Sequence, residues 1–147
     1  MRPHEIDPIS NEDLATALRD FYARSSRKLD QAMAEHGASF ARTRFLLMIA
    51  KEASVRSTDL AAAFGHAPRT VTEAVDGLER DGLVRRTPDP DDRRAKRISI
   101  TDAGRAVIEE TEPARKRFVE EVFGTLTPEE RAAMAAMMAK LNARLPR

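Results

Sequence analysis

Two short runs of the chain carry side chains suited to reading a polyanion. The first is Arg69-Thr70-Val71-Thr72-Glu73. Arginine can donate twice to the O6 and N7 of guanine, threonine can donate or accept, and glutamate can accept from the amino group of cytosine. The second is Asp92-Arg93-Arg94-Ala95-Lys96-Arg97. Its cations suit phosphate oxygens or the negative potential of a narrow minor groove. Neither run suits catalysis. The sequence holds no Gly-rich phosphate loop, nucleophile elbow or metal-ligand spacing, and its carboxylates are scattered as helix charges, which argues against an enzyme. No cofactor is implied.

The elements that must position these side chains lie between Ser57 and Gly104. Ser57 suits an N-cap, with Asp59 adding negative charge in the first turn. Leu60, Ala61 and Phe64 give that short helix an inner face, and Gly65 is placed to end it in a left-handed conformation. Pro68 suits the first position of the next helix. Val71, Val75 and Leu78 recur at i, i+4 and i+7, a narrow apolar stripe. Arg69, Thr70, Thr72, Glu73 and Asp76 then face the other way, and the N-terminal half of such a second helix is the part that enters a major groove. Glu79-Arg80-Asp81-Gly82 is a helix stop.

A hairpin follows. Leu83–Thr87 reads as a strand, and Arg97–Thr101 alternates so that Ile98 and Ile100 share a face. Pro88-Asp89-Pro90-Asp91-Asp92 cannot continue a ladder, because the prolines lack a donor and the carboxylates favour turns. The tip is therefore basic on its C-terminal side, and the plan is that of a winged helix-turn-helix.

Asp92-x-Arg94-Ala95-Lys96-x-Ile98-x-Ile100-Thr101-x-x-Gly104 resembles the wing signature of the MarR (multiple antibiotic resistance regulator) family, D-x-R-x-x-x-x-x-[LIV]-T-x-x-G. Val71-Thr72, Leu78-Glu79 and Gly82-Leu83-Val84-x-Arg86 resemble that family's recognition helix and its exit into the wing. The length and helix order agree with the family over nearly the whole chain. The resemblance implies a sequence-specific DNA-binding transcriptional regulator: a homodimeric repressor released from a palindromic operator by a small aromatic or phenolic effector. It implies that Arg94 enters the minor groove, with Asp92 directing it through an ion pair or backbone N–H groups. Arg69, Thr70, Thr72, Glu73, Asp92, Arg93, Arg94, Lys96 and Ser57 form the expected DNA-binding set. The effector pocket is placed between the dimer helices and the DNA lobe, where Tyr22, His36 and Met48 are the guessed lining.

The remaining chain fits a single mainly α domain over residues 1–147 with a small β-hairpin wing. Residues 39–101 form the DNA-binding lobe, and 10–37 and 102–147 form long dimerisation helices. Residues 1–9 read as an extended arm. Ser10 suits an N-cap before Leu14, Leu18, Phe21, Leu29 and Met33, and Gly37 ends that helix. Ser39 caps a helix through about Glu52, and Val55 is a candidate one-residue contact to the wing sheet. Thr101 caps a helix to Phe123 with a kink or break expected at Glu112-Pro113. Thr127-Pro128-Glu129-Glu130 is a full start signal for the last helix, whose Met134, Met138, Leu141 and Leu145 have no later segment to cover them.

The 147 residues carry a formal net charge of +1, which alone argues for no polyanion partner. Its distribution is more telling: residues 41–100 hold twelve Lys/Arg against nine Asp/Glu, whereas residues 1–40 are net acidic. The absence of cysteine removes disulfides and thiolate sites. His4, His36 and His66 lack metal-site spacing, so no metal is expected. No signal peptide or long apolar run appears, so a cytoplasmic protein with no membrane segment is expected.

Two residues depart from the resemblance. Glu73 stands where many relatives are basic, so it either accepts from a cytosine amino group or balances Arg69. Gly77, in mid-helix, is expected to permit close packing. The competing reading is a winged helix serving only as a protein-interaction module, which would need neither Arg94 nor a polar reading face.

Overall fold

A computed structural model describes residues 8–146. The extended arm expected over 1–9 falls, for residues 1–7, outside the described residues. Among the described residues, six helices and one hairpin follow in the order α1 (Asn11–Ala34), α2 (Phe40–Glu52), α3 (Ser57–Phe64), α4 (Pro68–Arg80), β1 (Val84–Pro88), β2 (Lys96–Ile100), α5 (Asp102–Phe123) and α6 (Pro128–Asn142). This is the mainly helical winged helix-turn-helix that the patterning predicts.

The helix starts follow their caps. Ser10 and Asp13 form a reciprocal capping box, as do Thr127 and Glu130, each satisfying two backbone donors that a helix start leaves open. Ser39 accepts from the Arg42 N–H at 3.2 Å. Gly65, at φ +62°, ends α3 in the left-handed region that a side chain resists. Of the kink or break expected at Glu112-Pro113, the break does not occur: α5 runs uninterrupted through Pro113. The proline is exposed, so the carbonyl deprived of its amide partner can turn to water.

The core lies within the lobe formed by α2, α3, α4 and the hairpin. Leu46, Ile49, Leu60, Val71, Val75, Leu78 and Ile98 are wholly buried. Each aliphatic side chain removed from water in this way contributes about 1.5–3 kcal/mol before entropy is counted. The stripe on α4 is therefore what orients its polar face outward. A second, smaller cluster packs Leu29 and Met33 of α1 against Phe118 of α5.

β1 and β2 pair antiparallel, Val84 opposite Ile100 and Pro88 opposite Lys96. Both strands are shifted from the sequence expectation, and Pro88, expected outside the ladder, closes it. The ladder survives because the next amide, that of Asp89, donates to the Ala95 carbonyl at 3.2 Å. Val55 makes the anticipated one-residue bridge to Ile98, with N–H···O distances of 2.9 and 2.7 Å. It reaches the sheet through a tight turn in which Ala53 holds φ +65° and the Ser54 N–H donates to the Glu52 carbonyl at 2.7 Å. A non-glycine in that conformation stores strain of about 1–3 kcal/mol.

Thr101 and Gly104 fasten the wing to α5. The Thr101 hydroxyl donates to the Gly82 carbonyl at 2.6 Å and accepts from the Gly104 N–H at 3.1 Å. A Cβ at Gly104 would overlap the Leu83 carbonyl oxygen and come within 2.7 Å of Ile100 Cγ1. Only glycine lets helix and hairpin approach this closely. Gly77 is different: a Cβ there would meet only the end of the Arg80 side chain, at 3.5 Å, so the close packing expected at that residue is absent.

Candidate nucleic-acid interface

The exposed face of α4 carries Arg69, Thr70, Thr72 and Glu73 together, on the side opposite Val71, Val75 and Leu78. Pro68 at the first helical position leaves the N-terminal turn open to solvent. Arg69 Nε lies 3.1 Å from Glu73 Oε1, with the arginine side chain 89% exposed. The Thr72 hydroxyl donates to the Pro68 carbonyl at 3.0 Å, so its oxygen keeps acceptor capacity toward the outside. Asp76 and Glu79, farther along the helix, are held by Arg86 of β1 at 2.7 and 3.1 Å.

The wing tip is built around a residue that pattern reading treats only as a turn former. Asp89 is buried, and its carboxylate meets Arg56 Nε at 2.8 Å and Arg97 Nε at 3.0 Å. It also accepts from the Asp91 and Asp92 N–H groups at 2.9 and 3.2 Å. The Asp91 N–H, the Arg56 guanidinium and the Asp92 N–H together hold this carboxyl below the usual carboxylate range, against the opposing cost of desolvation. The same contact pushes Arg56 further up. One side chain thus ties the end of β1 to β2 and to the residue preceding α3. The only signal for it in sequence is an Asp-Pro-Asp-Asp run, and Arg97, read there with the cations suited to a polyanion, is instead taken up by this carboxylate.

Of the two contacts expected of Asp92, the structure has the backbone one: its Oδ1 accepts from the Arg94 N–H at 2.9 Å. Arg93, Arg94 and Lys96 are exposed, and none forms an ion pair among the described residues. Their charge is therefore available to a partner. Ser57, expected as an N-cap, is instead the first helical residue of α3. Arg56 holds the cap position in an extended conformation, and its N–H is satisfied by Asp59 Oδ2 at 2.8 Å. Ser57 still reaches the candidate interface, lining a cleft between the start of α3 and the wing with Arg56, Arg94 and Lys96.

Tyr22, His36 and Met48 are not gathered into one pocket. The Tyr22 hydroxyl accepts from Arg44 Nη1 at 3.0 Å, His36 lies exposed beyond the end of α1, and Met48 packs on the lobe core. The clefts along α1 and α5 are lined by other residues, among them Phe21, Arg24, Lys28 and Phe118. Leu14 and Leu18 of α1 and Met137, Met138, Leu141 and Leu145 beyond α5 are exposed, and α6 contributes no buried residue. No helix among the described residues is long and apolar enough to cross a membrane.

Residues 40–96 match the model of the MarR family. The chain is 28% identical over 120 residues to an uncharacterised HTH-type transcriptional regulator, YwhA, of Bacillus subtilis strain 168, covering 82% of this chain and 86% of that one. It is 29% identical over 129 residues to the HTH-type transcriptional repressor MdtR of the same organism, covering 88% and 83%. Among solved structures, a mutant MarR from E. coli in complex with operator DNA superposes with a TM-score of 0.82 at 22% identity, over 90% of this chain and 94% of that one. That likeness establishes the fold.

Proposed function

From the premise that this chain belongs to the MarR family of helix-turn-helix transcriptional regulators, we propose that it binds double-stranded DNA sequence-specifically, without enzymatic activity, as a homodimeric repressor. The observation that carries the proposal is the pairing of a polar α4 face with a wing tip whose Arg93, Arg94 and Lys96 are uncompensated by carboxylates and whose stem is braced by Asp89. Arg69, Thr70, Thr72 and Glu73 read base edges, Arg94 enters the minor groove, and Arg93, Lys96 and Ser57 contact the backbone.

Residues 39–101 act as the DNA lobe, and 10–37 with 102–147 act as the dimer helices in the cytoplasm. The exposed apolar residues of α1 and α6 support this division, since a second copy would cover them. A two-fold dimer places two α4 helices about one DNA turn apart, roughly 10 bp, so the operator is a palindrome. An aromatic or phenolic effector bound between the helices and the lobe would release it.

Selection of bound duplexes from a random pool, with sedimentation of the free protein, tests this reading. The expected result is a palindromic site and a dimer at micromolar concentration. Recovery of unselected sequence by a well-behaved monomer would overturn it.

A further inference from the structure

Resting on the reading of α4 as the groove-entering helix, we infer that Glu73 is a specificity-determining residue: it fixes the orientation of one base pair by accepting only from an exocyclic amino group. Three carboxylates, Glu73, Asp76 and Glu79, lie on the exposed part of α4. Asp76 and Glu79 are compensated from a different element. Arg86 of β1, with its side chain only 21% exposed, contacts both, and its backbone N–H also donates to Glu79 Oε2 at 3.2 Å. These two charges are settled before any partner arrives.

Glu73 has no such support. Its one cation among the described residues is Arg69, a turn earlier on the same helix, and an exposed i,i+4 pair of this kind holds weakly and is easily exchanged. Once Arg69 turns to a guanine edge, Glu73 stands in a groove between phosphate walls with its charge unmet. A carboxylate can accept but cannot donate. In the major groove the donors are N4 of cytosine and N6 of adenine, whereas guanine O6 and N7 and thymine O4 are acceptors. Every base pair offers one such amino group, on one strand. Glu73 therefore separates cytosine from guanine and adenine from thymine on the strand it faces, by repulsion as much as by attraction.

The test compares the full-length wild type with Glu73→Gln, in which the side chain can both donate and accept, using duplex selection followed by affinity measurements on single-position variants. The wild type is expected to require cytosine or adenine at one position of each half-site. Glu73→Gln is expected to accept all four bases there, gaining about tenfold for guanine or thymine, with the other positions and the thermal melt unchanged. A wild type with clear base preferences that Glu73→Gln preserves at every position would overturn the role of Glu73 alone. A wild type with no base preference at all would overturn the DNA-reading premise together with it.

Discussion

The two parts of the interface carry opposite charge. Helix α4 has two arginines against three carboxylates, while the hairpin from Val84 to Ile100 has six cations against three. The difference extends to how each is held. The carboxylates that face outward on α4 are paired, among the described residues, by Arg69 of the same helix or by Arg86, whereas the wing is braced from within by a buried carboxylate with four partners. On the proposed function, attraction to a polyanion would reside in the wing, and choice among base pairs in the helix. An acidic reading helix gains nothing from counterion release, so it contributes through fit rather than charge.

The comparison breaks most severely if the wing loses its anchor. Gly104→Ala forces a methyl group onto the Leu83 carbonyl, and a loss of about 3 kcal/mol in stability is expected by urea unfolding. An unchanged midpoint would mean that the wing and α5 are not rigidly joined. Next in size, Arg94→Ala should weaken operator binding by about 2 kcal/mol while leaving melting and assembly unaltered, because the side chain is exposed and unpaired among the described residues. An unchanged Kd at physiological salt would contradict its place in the groove.

The brace itself is sharpened by pH. The Asp89 carboxyl lies below its usual value in the folded chain, so its contribution is present at neutral pH and is lost only as pH falls below about 3.9, the ordinary Asp value, toward the folded-state pKa. Asp89→Ala should mimic that loss at pH 7. Hydrogen exchange of the Asp91 and Asp92 amides, which donate to Asp89, is expected to rise at least about fivefold in the variant. Exchange equal to wild type would remove the brace. The smallest change lies on the helix: Gly77→Ala, with open room for a methyl group, should stabilise by about 0.5–1 kcal/mol and leave the wing amides untouched.

Where sequence was readable and where it was not follows from the range of the interactions. The α4 stripe, the Ser10, Ser39, Thr101 and Thr127 caps and the Gly65 stop are set by residues within one or two turns, and all appear as patterned. Even the Val55 bridge was legible, because a lone valine sits in the short connector between α2 and α3. Asp89 was not, since its partners Arg56 and Arg97 come from other elements and nothing local distinguishes it from Asp91. The N-cap of α3 falls on Arg56 rather than Ser57, with the Arg56 N–H held by Asp59. Pro113 marks the limit of a local rule: the rule allows a kink or a break, and at this exposed position the helix continues without breaking. The grouping of Tyr22, His36 and Met48 had no pattern behind it.

The division of labour between helix and wing is tested most directly by measuring the Kd of wild type, Arg69→Ala and Arg93→Ala for a selected site and a scrambled duplex over a salt series. Arg69→Ala is expected to lose preference for the selected site, chiefly at a guanine, with its affinity for the scrambled duplex little changed. Arg93→Ala is expected to weaken both duplexes equally and to reduce the salt slope by about one unit. If Arg69→Ala instead lowers both affinities equally and keeps the wild-type sequence ratio, Arg69 touches the backbone, and α4 is not the element that reads sequence.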